Sequence, residues 1–285
     1  VGRQGFLSNF DLVQSDDSTK VLPRYRQVVV EEEQAGRKGI FTRQHVCNDV
    51  YEGIRTIAGT YGFSGIEPNT VMLGWARQSE DPKKFLHTIN YLKALDMNIL
   101  LMDYDKRVGF GKYNQVDIWW RTTEHNGNLA LMLLKFLWLS NEWRNARARI
   151  LVVNPVNEQK EVILRNTHNI LDNMRIHAEV KVINNQIEQR SFYDIVQVES
   201  VNSDLIFLGL PNIESGTEET FVQETNKLCE DIGTVVLIKA STNFKKLRIG
   251  IKRHLLSHID RLENKVQEKE LLPIPISDIV YPDKP

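Results

Sequence analysis

Residues Val116–Asn154 read VDIWWRTTEHNGNLALMLLKFLWLSNEWRNARARILVVN, an apolar strand, a polar turn, an apolar helix and a second strand. From Leu129 to Leu139 only Lys135 interrupts the apolar run, so this helix has no wide polar face and must be covered on several sides. It reads as a core or interface helix. A membrane span needs about 20 apolar residues, more than the run supplies. Further out, strands and helices alternate. Apolar strand candidates are Ile40–Arg43, Thr70–Trp75, Asn98–Asp103, Val116–Trp120, Arg149–Val153, Glu179–Ile183, Leu205–Leu210 and Thr234–Lys239. Between them Asn48–Tyr61, Pro82–Leu95, Asn128–Asn141, Glu158–Met174 and Glu218–Cys229 carry apolar residues three and four apart, the pattern of one buried helical face. The alternation implies an α/β fold of mostly parallel sheets covered by helices on both faces.

At 285 residues the chain exceeds the usual single-core size, so two domains are expected. The strands divide into a first α/β subdomain over 1–112 and a second, with enough strands for its own sheet, over 113–242. The boundary is placed in the loop Arg107–Asn114, and 243–285 forms a separate tail. TVMLGW, a helix with Phe85, Leu86, Ile89 and Leu92, then NILLMD parallels DLIFLG, a helix with Phe221, Val222, Thr225 and Leu228, then TVVLIK. Gly74 and Gly209 end the first strand of each unit, which suggests two similar halves. Lys plus Arg total 36 and Asp plus Glu 37, so no broad positive field is on offer and nucleic acid is not an expected partner. Two cysteines, Cys47 and Cys229, make no disulfide framework and suit a reducing compartment. No signal region opens the chain and Val1 is not Met, so a piece of a longer polypeptide is expected.

No catalytic constellation emerges. Gly109–Lys112, GFGK, lacks the loop length and following hydroxyl of a phosphate loop, since Tyr113 stands in that place. His254 and His258 lie four apart without the glutamate of a metalloprotease helix, and neither cysteine has a partner at metal spacing. No catalytic residue, metal or cofactor is therefore assigned. Trp119 and Trp120 point to opposite faces of one strand, so both are buried only if helices cover each side or a partner covers one.

Three stretches carry a family resemblance. PNTVMLGW at Pro68–Trp75, VDIWW with its Gly-containing turn and apolar helix, and MRIHAEVKV at Met174–Val182 resemble, in the same order, the cytosolic C-terminal region of cation-chloride cotransporters, and the resemblance implies a prokaryotic member of that family. The likeness runs from about His45 to Ser241 and is strongest to potassium-chloride members over Val116–Leu134. It implies two similar Rossmann-like subdomains, like those of universal stress proteins, that regulate and dimerise a transporter without chemistry of their own. The partners implied are a second copy of the chain and the transmembrane domain of the same polypeptide, on the cytoplasmic side of the cell membrane. The family also has an opening strand and helix that would lie before Val1. The excess apolar surface of the long helix points to Leu129, Leu133, Phe136, Leu137 and Trp138 as interface candidates.

The alternative reading is a soluble stress-type nucleotide binder using Gly209, Ser215, Gly216 and Thr217, a strand-to-helix turn that presents N–H groups to an anion. The glycine pattern of universal stress proteins is broken there by Asn212 and Val222, and Ser215 or Thr217 also reads as a plain helix cap. After Ser241, a basic amphipathic helix carries Leu255, Ile259, Leu262 and Val266 as a short seam. Its Lys245, Lys246, Arg248, Lys252 and Arg253 suit an anionic membrane surface or an acidic partner.

Overall fold

The computed structural model describes residues 7–15, 40–62, 67–75, 77, 81–120, 125–154, 160–185, 187–213, 216–230 and 232–246. The chain divides into compact units 1–247 and 248–285, and the described residues all lie in the first.

Two parallel strands open the chain, β1 (Leu7–Gln14) and β2 (Ile40–Cys47). Helix α1 (Val50–Thr60) follows, started by the Asp49 side chain accepting from the Glu52 N–H. Next come β3 (Thr70–Gly74), α2 (Pro82–Ala94) and β4 (Asn98–Asp103). Asp81 caps α2, and Pro82 at its first turn lacks only an N–H that would go unused there. The rest is β5 (Gln115–Trp119), α3 (Asn126–Leu137), β6 (Arg147–Asn154), α4 (Lys160–Met174), β7 (Glu179–Asn184), α5 (Phe192–Ser200), β8 (Leu205–Gly209), α6 (Glu218–Glu230), β9 (Thr234–Lys239) and α7 (Asn243–Lys246). Neither β1 nor α5 is among the elements expected from sequence.

The loop 107–114, where the sequence placed the subdomain boundary, joins β4 to β5, but the strands on its two sides do not form separate sheets. They make one seven-stranded sheet in the order β3-β4-β9-β8-β5-β6-β7. Every neighbouring pair is parallel except β4·β9, which joins the halves antiparallel. In that pair Leu101 faces Leu237, and these two residues occupy equivalent places in NILLMD and TVVLIK. A pseudo-twofold axis therefore passes between them. The closing bonds repeat with it: the Trp75 N–H donates to Met102 O and the Leu210 N–H to Ile238 O, both at 2.8 Å. Burying the two inner edges against each other removes two exposed strand edges.

Each face of the sheet has its own core. On one side α2, α5 and α6 set Phe85, Ile89, Ile195, Val196, Phe221 and Leu228 against Ile99, Leu101, Trp119, Ile206 and Val235. On the other, α3 and α4 set Leu129, Leu131, Leu134, Leu171 and Met174 against Ile118, Ile150, Val152, Phe207 and Val236. Trp119 and Trp120 go to opposite faces and both are buried, covered by helices of the same chain. Among the described residues no helix is long and apolar enough to cross a membrane.

Candidate interaction surface and strand-end crevice

Open α/β sheets take ligands at the carboxyl ends of neighbouring strands whose following helices go to opposite faces. In the second half those strands are β5, followed by α3, and β8, followed by α6. Trp120 occupies the α3 side of this crevice. A Cβ on Gly127 would stand 2.8 Å from its ring, so α3 needs glycine there to approach the indole. Buried Asn126 accepts from the Ala240 N–H at 2.8 Å, which ties the start of α3 to the end of β9. On the α6 side, Gly209 ends β8. Gly216 sits at φ +93°, and its N–H donates to Glu218 Oε2 at 2.8 Å. That N–H holds the Glu218 carboxyl below the usual carboxylate range. Thr217 O accepts from the Phe221 N–H to open α6, while Ser215 lies outside the described residues. The Gly216 N–H, which a phosphate would use, is thus already given to a carboxylate of the same chain.

The GFGK loop does cradle an anion, and the anion is Asp204. Gly109, Gly111 and Tyr113 all take left-handed conformations, which turn successive N–H groups inward. The Asp204 carboxylate accepts from the N–H groups of Lys112 at 3.0 Å, Asn114 at 2.6 Å and Gln115 at 3.0 Å. Any Cβ on Gly111 would collide with that carboxylate.

Asp117, which sequence reasoning passed over, is the most deeply buried carboxylate among the described residues. It is fully buried in β5 and accepts from Arg149 Nε at 2.9 Å and Nη2 at 2.6 Å, from Ser200 Oγ at 2.7 Å and from Ser203 Oγ at 2.5 Å. Four donors fill a carboxylate's acceptor sites, leaving none for a substrate. Arg149 also reaches Glu199 O, and Trp119 Nε1 donates to Ser200 Oγ at 3.1 Å, so one polar knot ties β5 and β6 to α5. The signal was a lone acid inside the apolar VDIWW strand. In the first half Arg77 pairs with Asp103 and donates to Cys229 O, joining the end of β4 to α6.

His254 and His258 lie outside the described residues, and among those described no group of three His, Cys, Asp or Glu could hold a metal. Burial pushes the thiols of Cys47 and Cys229 up, Cys229 far more strongly.

The five interface candidates on α3 part company. Leu129 is buried against the sheet and has no surface to offer a second copy. Leu133, Leu137 and Trp138 are half-buried against the same core, with Trp138 Nε1 donating to Ala146 O at 3.0 Å. Phe136 is 47% exposed, and Leu139, one residue beyond the candidates, is 77% exposed. Lys135 Nζ donates to Met174 O and so caps the end of α4. Leu133, Phe136 and Leu139 thus form an apolar stripe along the outer side of α3 and its last turn. Of the basic tail, Lys245 and Lys246 fall in α7, while Arg248, Lys252 and Arg253 lie outside the described residues.

No family model matches this chain. Its fold is similar to that of the cytoplasmic domain of a prokaryotic cation chloride cotransporter, at a TM-score of 0.59 and 15% identity, over 83% of this chain and 85% of that one. A universal stress protein from Archaeoglobus fulgidus DSM 4304 aligns over 72% of this chain and 71% of its own, at 16% identity and a TM-score of 0.48. At such identities the likeness is one of fold. In this chain the three motifs fall on β3 (PNTVMLGW), on β5 (VDIWW) and across the turn from α4 into β7 (MRIHAEVKV).

Proposed function

We propose that this chain is a cytosolic regulatory and dimerisation domain of a cation-chloride cotransporter, with no chemistry of its own. The observation that carries the reading is the coincidence of three ordered cotransporter-like motifs with the shape of a cotransporter cytoplasmic domain over most of the chain. The filled Asp117 carboxylate, the loop N–H groups already given to Asp204 and the Glu218-occupied turn favour this reading over nucleotide binding. The mechanism is mechanical: a change in domain packing biases the conformations of an attached transporter, a population shift rather than a reaction.

Dimerisation uses the α3 stripe. A side chain of Phe size buries about 150–250 Å², so covering the 47% of Phe136 now exposed removes roughly 90 Å² from water. That is worth about 2 kcal/mol per copy at ~25 cal/mol per Å², and a twofold interface counts it twice. Phe136→Asp should therefore weaken a dimer on the order of 1,000-fold while the fold survives. Two measurements test the reading. Hydrophobic segments of about 20 residues encoded upstream of Val1 support it, and their absence removes the transporter assignment. Chloride-dependent cation uptake by the whole polypeptide should change with Phe136→Asp; unchanged uptake would refute regulation through this surface.

A further inference from the structure

The rim where β4 ends and β5, β6, β8 and β9 begin holds a crevice of about 1050 Å³. It is lined by the loop that leaves β4, by the turn from α5 into β8, and by Asn145 and Arg147 where β6 starts. It lies at the amino ends of β5 and β8, and so is distinct from the strand-end crevice beside Trp120.

The acids of this crevice are spent on its own walls. Asp105 is buried and accepts from the Arg107 N–H at 2.8 Å, from Nε at 3.2 Å and from Nη2 at 3.1 Å, while Asp204 takes the three loop N–H groups. The cations are not spent. Lys112 and Arg147 are exposed, and among the described residues neither side chain has a hydrogen-bond or ion-pair partner. Asn114, Asn145 and Asn202 are also exposed, and their side-chain amides have no partner among the described residues. Val108 on the loop and Val201 on the turn are 60% and 54% exposed.

The loop wall is fixed before any ligand arrives. Gly109, Gly111 and Tyr113 hold its left-handed bends, Thr234 Oγ1 donates to Gly109 O at 2.7 Å, and buried Trp143 packs edge-on against Phe110 and Tyr113 with ring centroids 5.8 and 5.0 Å away. A ligand therefore meets a surface that needs little ordering.

Cations without counter-ions select carboxylate or phosphate groups. A free carboxamide carries both a donor NH2 and an acceptor oxygen. Three of them match the N–H and C=O groups of an extended peptide backbone, whereas a phosphate cluster offers acceptors alone and leaves the amide oxygens unused. Small-molecule sites run from about 300 to 1,000 Å³ and are mostly apolar, so a crevice of this size with a mainly polar lining suits a length of chain rather than a compact anion.

We propose that this crevice binds an extended acidic peptide segment of another protein. Its carboxylates pair with Lys112 and Arg147, its backbone bonds to the three asparagines, and its apolar side chains rest on Val108 and Val201. The proposal is independent of the transporter reading and of the α3 stripe.

The probe is a fluorescein-labelled peptide of roughly eight residues in which Glu and Val alternate, so that carboxylates line one side of the extended chain. Its anisotropy should rise saturably with Val1–Pro285. Lys112→Glu together with Arg147→Glu should weaken binding at least about 10-fold and confer binding of the corresponding Lys–Val peptide, while Lys160→Glu on α4 changes neither. Asn145→Ala with Asn202→Ala alters no charge and should also weaken binding; a melting temperature near that of the parent confirms that each variant is folded. Absence of saturable binding, binding that survives the charge reversal, or binding indifferent to the asparagine pair would overturn the proposal. Displacement of the peptide by an equal concentration of inorganic pyrophosphate would also overturn it, in favour of a small-anion site.

Discussion

Replacing Arg149 by Met removes two of the four donors on a buried carboxylate and leaves the remainder of the knot in place. Asp117 keeps Ser200 and Ser203, and the Arg149 side chain is 18% exposed, so water can reach part of the gap. Breaking a buried ion pair from one side costs about 3–5 kcal/mol, and these two features put the expected loss near the lower end, ~3 kcal/mol. With a urea m-value of about 2–3 kcal/mol/M, the unfolding midpoint should fall by roughly 1–1.5 M. Asp117→Asn in the same background removes the stranded charge, so the double variant should recover ~1–2 kcal/mol relative to additivity. Urea titration followed by tryptophan fluorescence reads both numbers, because Trp119 is bonded to the same knot through Ser200. A midpoint shift under about 0.3 M for Arg149→Met, or strict additivity in the double variant, would refute the claim that this pair anchors α5 to the sheet.

Adding ATP in excess should leave the melting temperature unchanged, since a ligand specific for the native state must raise it by mass action; a dose-dependent rise would restore the nucleotide reading. In the native protein a thiol reagent should label Cys47 well before Cys229, whose thiol is buried and pushed up; equal rates would contradict the packing of α6. The carboxyls of Asp49 and Asp105 are held below the usual range, Asp49 first by the Glu52 N–H and Asp105 first by the Arg107 side chain. For a depressed carboxylate, the stability contributed is present above the unfolded value, about 4, and is lost as pH falls through the folded one. Melting temperature should therefore drop as pH is lowered from about 5 toward 3, with a shallower slope in Asp49→Asn; an unaltered slope would remove Asp49 from that account. Truncation after Asn243 should reduce binding to anionic liposomes; undiminished binding would exclude the basic tail as a membrane contact.

Most strands were legible because they are buried on both faces and read as unbroken apolar runs, as in NILLMD and TVVLIK. β1 was missed because LSNFDLVQ carries polar residues through a strand with no buried position. α5 was missed for the opposite reason: FYDIVQVES is rich in β-branched residues, and what makes it a helix is the Ser191 side chain accepting from the Asp194 N–H, with Ile195 and Val196 buried. The antiparallel β4·β9 seam has no local signal at all. Pairing direction between strands far apart in sequence is set by how whole units dock, so the sequence suggested two halves without suggesting that they share a sheet. On α3 the apolar run gave no single buried side: Leu129 is buried, Leu133 half-buried and Phe136 47% exposed, and these equally apolar residues are told apart by packing against the sheet rather than by composition.

Because Leu101 and Leu237 meet antiparallel, the strands of the two halves run in opposite directions through a single sheet. The carboxyl ends of β3 and β4 therefore emerge at one rim of the slab and those of β5, β6, β7, β8 and β9 at the other. Each half presents its loops to a different side, so anything seated on one set of loops leaves the other unobstructed. A load applied at one rim and resisted at the other would be carried across the middle by the hydrogen bonds of β4·β9 in shear, the direction in which a ladder of bonds shares force most evenly. The seam joins the two halves into one plate whose two sets of strand-end loops lie at opposed rims.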